Sequence, residues 1–124
     1  MRRAAVGAAL LGSAFAHAPA APARPAPARL LVEAREFSLV LSRQAVPHGD
    51  AIVQLVNRGE DGHDLRLVRL GPHGGSASRP QGTRETRPGA VSSWRGTLAA
   101  GRYRLFCSIP GHERRGMRAV LRVR

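Results

Sequence analysis

The sequence predicts an all-β protein, an antiparallel Greek-key sandwich or barrel, and three observations support this prediction. Apolar and polar residues alternate in several short segments after residue 29, as in strands with one buried face. Clusters of Gly, Pro and Asp separate these segments, and no convincing helical period interrupts them. A chain of 124 residues is long enough for one domain of this kind.

Seven strands are expected, at residues 30–35, 37–42, 52–57, 63–70, 91–98, 102–107 and 117–124. A turn at 47–50, a polar loop at 58–62 and a long surface loop at 72–89 separate them. In the fourth strand, the alternation places His63 on the face of Leu65 and Leu67, and Asp64 on the opposite face. Cys107 ends the sixth strand on its inward face, and Met117 begins the last strand on its inward face.

The amino-terminal end predicts export. Two arginines, an apolar run to Phe15 and the small residues Ala14 and Ala16 are typical of a secretory signal peptide over residues 1–16. Residues 17–29 are mostly Ala, Pro and Arg, which predicts a flexible, disordered linker before a domain at 30–124. We therefore expect a periplasmic or secreted protein without stable membrane insertion after cleavage. An uncleaved anchor is disfavoured because the apolar run is short.

The charge balance indicates anionic partners. The formal net charge is +12, all of the positive charge comes from arginine, and only 4% of the residues are aromatic. Nucleic acid is not expected, because the arginines are dispersed and an exported protein seldom meets it. We therefore expect an acidic partner protein or an anionic surface. The sequence shows no pattern typical of a dimer interface, which favours a monomer.

Three residues that favour soft metals lie close together in the sequence. Cys107, His112 and Met117 fall within eleven residues, and Gly111 and Gly116 permit tight turns between them. A thiolate, an imidazole and a thioether suit one soft metal ion. If the strand that begins at His63 runs parallel to the last strand, or at even spacing from it, its imidazole reaches the same pole. Two His, one Cys and a distant Met form the trigonal site with a weak axial ligand that is typical of blue copper.

Residues 101–112, GRYRLFCSIPGH, followed by Gly116, Met117 and an apolar strand, resemble the copper loop of small cupredoxins of the plastocyanin and azurin family. Asn57, six residues before His63, resembles the upstream His region of that family. The spacing is closer to rusticyanin or phytocyanin-like members than to plastocyanin. The resemblance covers residues 30–124 and implies one type 1 copper ion, cycling between Cu(II) and Cu(I), with ligands His63, Cys107, His112 and Met117.

The resemblance also implies roles for residues around the metal. The ring edge of His112 is the expected electron exit, and Arg114 and Arg115 beside it form a positive rim for an acidic redox partner. Asn57 and Asp64 are expected to support the ligands. Asp64 stands where many family members have Asn or Ser, and an ionised carboxylate cannot donate a hydrogen bond to the sulfur. Backbone amides are the expected substitute.

Four other hypotheses are weaker. A copper storage or delivery protein would use the same ligands without a redox-carrier role. Zinc could bind Cys and two His, but it has no need of Met117. An enzyme with a thiol nucleophile lacks an identifiable oxyanion element, and a copper enzyme using His17 would need a rigid amino terminus. We therefore expect an electron carrier and no enzymatic activity.

Overall fold

The computed structural model describes residues 16–124, so nearly all of the predicted signal peptide at residues 1–16 lies outside the described residues. Residues 16–27 contain no helix or strand, and most are exposed. Arg24 in this segment forms an ion pair with Asp50 at 2.7 Å. The first strand begins at Ala28, two residues inside the predicted linker at 17–29. The boundaries between signal peptide, linker and domain stay predictions.

The described residues form two packed sheets. The strands are β1 Ala28–Arg35, β2 Ser38–Leu41, β3 Ala45–Val46, β4 Gly49–Asn57, β5 Arg66–Arg69, β6 Gln81–Gly82, β7 Val91–Leu98, β8 Gly101–Phe106 and β9 Arg118–Val123. One sheet has four strands in the order β2-β1-β4-β7, and the other has five in the order β3-β9-β8-β5-β6. Within residues 16–124, no helix is long and apolar enough to cross a membrane. The prediction of an all-β sandwich is confirmed.

The sheets are mixed, which corrects the prediction of a purely antiparallel sandwich. Strands β1 and β4 pair in parallel from Ala28 to Ala34, and β3 and β9 form a second, shorter parallel pair. The reason is topological, because β2 lies in the four-stranded sheet and β3 in the five-stranded one. The chain between them therefore crosses from one sheet to the other before it returns in β4, and such a crossover permits a parallel neighbour.

The sequence predicted a long surface loop at residues 72–89, but this segment is more than a surface loop. It contains β6 and two buried threonines, Thr83 and Thr86. The Thr83 hydroxyl accepts a hydrogen bond from the amide of Leu65 at 3.1 Å. Strands β3 and β6 have two residues each, too few to show an alternating pattern, so the sequence did not predict them. The turn predicted at 47–50 ends earlier, because β4 begins at Gly49.

Alternate residues of the strands fill the space between the sheets. Leu55, Leu65, Leu67, Leu105 and Leu121 are fully buried there, and Cys107 and Met117 belong to the same cluster. The ladder between β8 and β9 runs from Gly101 opposite Val123 to Phe106 opposite Arg118. Cys107 and Met117 therefore follow and precede the paired residues at one pole of the sandwich, as the sequence predicted.

Candidate metal centre

Three of the predicted ligands meet at this pole. One donor atom each from His63, Cys107 and His112 lies within 4.8 Å of the other two. The Nδ1 atoms of the two histidines are 3.3 Å apart, and the Cys107 sulfur is 3.7 Å from Nδ1 of His112. His63 and Cys107 are buried, and His112 is partly exposed. The structure thus brings together residues that are 44 and 49 positions apart.

These separations fit one metal ion held by all three side chains. A divalent ion such as zinc lies about 2.0 Å from a histidine nitrogen and about 2.3 Å from a cysteine sulfur when these residues bind it. Two such donors around one ion are about 3.3–3.8 Å apart when the angle between the bonds is about 110–120°, which is near both observed distances. A thiol and two imidazoles favour soft or borderline metal ions, whereas hard ions prefer oxygen ligands.

The sequence did not identify the residue that orients His63. Glu36, in the turn between β1 and β2, places Oε1 2.7 Å from Nε2 of His63. An ionised carboxylate only accepts hydrogen bonds, so Nε2–H is the donor and Nδ1 faces the site. A charged residue between two strands looks like a solvated turn residue in the sequence. No sequence signal near Glu36 marks its contact with His63, 27 residues later.

Backbone amides hold Glu36 in its ionised form. The amides of Asp61 and Glu60 donate to its carboxylate, at 2.8 Å and 3.0 Å respectively to Oε1. These hydrogen bonds, chiefly that from Asp61, lower the pKa of Glu36 from 4.5 to about 2, and the bond from His63 contributes in the same direction. The carboxylate is 25% exposed, so it is partly shielded from water.

His63 is fixed through its backbone as well as its ring. The sequence predicted that His63 begins a strand, but the strand β5 begins only at Arg66. His63 instead pairs with Thr86 through an isolated bridge. The His63 amide donates to the Thr86 carbonyl at 3.1 Å, and the Thr86 amide donates back at 2.7 Å. The buried side chain of Asn57 donates to the carbonyls of Asp61 and Thr86. Asn57 thus ties together the loop before His63 and its bridge partner.

Asp64 supports the opposite side of the site. The sequence placed Asp64 on the face opposite His63, and the structure shows that the Asp64 side chain is buried, with only 3% exposed. It can be buried because its carboxylate is fully engaged: it accepts from the amide of Ser108 at 2.6 Å, from the Ser108 hydroxyl, and from Arg66 at 3.1 Å. Asp64 therefore joins the segment that carries His63 to the residue after Cys107.

The Cys107 thiol is buried among apolar side chains. Burial raises the pKa of the Cys107 thiol above its ordinary value of 9.0, while hydrogen bonds from the backbone amides of Asp64 and Ile109 act in the opposite direction. The Asp64 carboxylate adds to the rise. Metal binding at neutral pH must therefore displace a thiol proton. The two amides stand where the sequence analysis expected backbone donors to replace a side-chain donor.

The loop after Cys107 returns tightly to the sheet. The Cys107 amide donates to the Met117 carbonyl, and the Met117 amide donates to the His112 carbonyl. Gly111 and Gly116 have φ of +83° and +123°, which only glycine adopts readily. A Cβ on Gly116 would also lie 2.7 Å from the carbonyl oxygen of Phe37. The predicted role of both glycines as turn residues is confirmed, and Met117 is fully buried directly after the loop.

Phe37 covers one side of His112 and was not predicted at the site. The two rings meet edge to face, with centroids 5.1 Å apart. The Arg115 guanidinium lies over the Phe37 ring, 3.8 Å from its centroid. Arg114 is also exposed. Glu113 is engaged by Arg104 at 2.5 Å. Arg114 and Arg115 thus present positive charge beside His112.

Comparisons with known proteins support the fold. No protein-family model and no curated protein matches the sequence. The structure is similar to an auracyanin from Roseiflexus castenholzii, with a TM-score of 0.64 and 21% identity over 81% of this chain and 99% of that one. It is also similar to auracyanin A, a blue copper protein from Chloroflexus aurantiacus, with a TM-score of 0.61 and 16% identity over 80% and 100% of the chains. A rusticyanin variant gives a TM-score of 0.55 and 20% identity over 77% and 76%.

The same fold occurs as a domain of larger proteins. The chain resembles part of a copper-containing nitrite reductase from Thermus scotoductus, with a TM-score of 0.51 and 14% identity. That match covers 77% of this chain but only 30% of the reductase. The shared architecture therefore does not by itself separate carriers from enzymes. The order of the strands, the position of the site and these similarities together show that the chain has the cupredoxin fold that its sequence resembles.

Proposed function

We propose that this protein is a periplasmic or secreted electron carrier with one type 1 copper ion, and that it has no enzymatic activity. The observation that carries the proposal is the convergence of donor atoms from His63, Cys107 and His112 within 4.8 Å of one another. When bound, copper supplies a one-electron step between Cu(II) and Cu(I). The auracyanins and rusticyanin with the same architecture add support for copper over other metals.

The ligand assignment follows from the chemistry of the side chains. Nδ1 of His63, Nδ1 of His112 and the Cys107 thiolate would hold the ion, and the Met117 thioether would be a weaker fourth ligand. Thiolate and thioether suit Cu(I), whereas imidazole suits both oxidation states. Zinc accounts for Cys107 and the two histidines but not for a buried methionine at the end of the same loop.

The residues around the ligands favour rapid electron transfer because they restrict ligand movement. Glu36 fixes the ring of His63, and Asp64 fixes the segment after Cys107. Because His63 and Cys107 are buried and both are tied to neighbouring segments, their movement between oxidation states is restricted, which favours a small reorganisation on each transfer. Storage and delivery of copper would instead need ligands that open to release the ion.

The partner surface surrounds His112. Its ring is the partly exposed ligand, and Arg114 and Arg115 supply positive charge beside it. We assign this rim to a transient contact between a monomer of this protein and an acidic redox partner. Small, charged interfaces of this kind associate fast and dissociate readily, and salt weakens them.

Redox cycling with retention of copper tests the proposed function. The copper-loaded protein is reduced with ascorbate and reoxidised with ferricyanide over several cycles, in the presence of a Cu(I) chelator. We expect the thiolate-to-copper colour to fade and return, with one copper per chain retained throughout. Transfer of the ion to the chelator on first reduction would contradict electron transfer and favour storage or delivery.

The same oxidation reaction tests the rim. Arg114→Glu with Arg115→Glu should slow oxidation by anionic ferricyanide and speed oxidation by a cationic cobalt(III) complex, chiefly at low salt. Arg29→Glu with Arg95→Glu, which changes the net charge equally on exposed strand positions elsewhere, is the matched control. Equal effects of the two double variants would reject a local docking rim.

A further inference from the structure

The two sheets differ sharply in charge. The strands of the five-stranded sheet carry six arginines and no acidic residue. Those of the four-stranded sheet carry three arginines together with Glu33 and Asp50. Of the nine arginines in strands, six thus lie in one sheet, although the arginines are dispersed along the sequence.

Strand alternation places four of these arginines on the outer face of the ladder between β8 and β9. Tyr103, Leu105 and Leu121 point inward, so the intervening positions point to solvent. The outward residues include Arg102, Arg104, Arg118 and Arg122, which we call the arginine face. Val120, at 43% exposure, lies at its centre.

Most of this charge is not neutralised within the protein. Arg104 pairs with Glu113, but Arg102, Arg118 and Arg122 form no ion pair with any residue that the structure describes. Arg102 lies directly opposite Arg122 in the ladder. Like charges at directly opposed positions destabilise a sheet, so an external anion between them would relieve this repulsion.

The face is shaped for an extended anionic surface. A depression of about 570 Å³ is lined by Gln44, Arg102, Val120 and Arg122. A second depression, of about 420 Å³, adjoins it through Val120 and includes Arg104 and Arg118. Val120 is the apolar residue that the two depressions share, and the arginines line both of them. A free guanidinium can donate two hydrogen bonds to one phosphate.

We propose that the arginine face is a docking surface for a membrane that contains anionic phospholipids. Several separate positive charges on one sheet face attract a layer of phosphate groups, and each contributes about equally near such a surface. Val120 then contacts the apolar boundary below the headgroups. An acidic protein is the weaker occupant, because specific protein interfaces combine arginine with exposed aromatic anchors such as Trp and Tyr. The aromatic residue of this ladder that points outward, Phe106, is covered by the Arg104 guanidinium at 4.4 Å.

Vesicle binding tests the proposal. The full chain is mixed with vesicles of phosphatidylglycerol and phosphatidylcholine, or of phosphatidylcholine alone, and bound protein is measured by flotation. We expect binding to the anionic vesicles that weakens as salt increases. Arg102→Gln with Arg122→Gln should lower the partition coefficient about 25-fold, from the contribution of two charges near an anionic surface.

Arg29→Gln with Arg95→Gln is the matched control, because it removes the same net charge from exposed positions of the other sheet. Both double variants leave the residues before Arg29 unchanged. The control should lower binding only slightly. Equal loss in both double variants would overturn the assignment to the arginine face. Failure of the wild type to prefer anionic vesicles would overturn it too, as would binding to polyglutamate through this face without binding to vesicles, which would indicate an acidic protein instead.

Discussion

The two sides of the candidate copper site are built differently. The loop side provides Cys107, His112 and Met117 from a single segment, closed by glycine turns and by hydrogen bonds within the loop. The other side provides only His63, and residues from three distant segments hold it in place. Most of a ligand set can therefore be local in sequence while the support of one ligand depends wholly on tertiary contacts.

Asn57 gives the largest expected effect on the His63 side. Its side chain makes three hydrogen bonds, to Asp61, Thr86 and Gly59, and is fully buried. Asn57→Ala removes all three hydrogen bonds, so the Asp61 carbonyl and the Gly59 amide lose this partner and the Thr86 carbonyl keeps only the His63 amide. We therefore expect the free energy of unfolding to fall by about 2–3 kcal/mol. Denaturant unfolding of the metal-free protein measures this.

Thr97→Ala is the control for Asn57, because Thr97 is exposed and makes one long hydrogen bond. Its effect should stay within about 0.5 kcal/mol. A loss at Asn57 no larger than at Thr97 would show that the loop before His63 holds its shape without this side chain.

Glu36 tests whether tertiary support of His63 matters for metal binding. Glu36→Gln removes the charged acceptor of Nε2–H, so we expect copper affinity to fall by about 10–100-fold, as for other residues that orient a metal-bound histidine. Competition with a chelator measures the affinity. Glu60→Gln removes an exposed neighbouring carboxylate as a control. Unchanged affinity in Glu36→Gln would mean that the loop side alone determines binding.

Acid provides a second test of the same contact. The pKa of Glu36 is lowered from 4.5 to about 2 in the folded protein, so its ionised form is favoured by folding. The stability it contributes is fully present above pH 4.5 and is lost as the pH falls towards 2. Thermal unfolding of the metal-free protein should show a smaller loss over this range in Glu36→Gln. Identical pH profiles would contradict an important role for the Glu36 carboxylate.

Met117 gives the smallest expected change and tests the loop side. Met117→Leu keeps the volume of the buried side chain but removes the sulfur, so the core should tolerate it. We expect the colour of the copper complex to persist and the reduction potential to shift, because a weak axial ligand tunes the metal more than it binds it. Loss of all copper binding would show that Met117 is a principal ligand.

The sequence predicted the loop side better than the His63 side for a physical reason. Cys107, His112 and Met117 are linked by short turns, and their chemistry is visible at fixed spacing. The position of His63 depended only on strand parity, which brought its ring to the correct pole although β5 starts three residues later. Glu36 and Phe37 were missed because their contacts with the two histidines form only when β1 and β2 pack against the loop.

The fold, like the site, was predicted where it depends on local patterning and was missed where it depends on contacts between distant segments. Alternation identified the long strands and the inward faces of β8 and β9, because each depends on local patterning. It did not reveal the parallel pairing of β1 with β4, the buried threonines of the 72–89 segment or the concentration of arginines in one sheet. These features depend on which strands become neighbours, and no single segment encodes that choice.

Titration of the metal-free protein with Cu(II), followed by visible absorption, shows whether His63, Cys107 and His112 form a copper site. We expect an intense thiolate-to-copper band that grows linearly, stops at one copper per chain and is absent in Cys107→Ser. A colourless complex, or a band that survives loss of the Cys107 thiol, would contradict a copper site built on His63, Cys107 and His112.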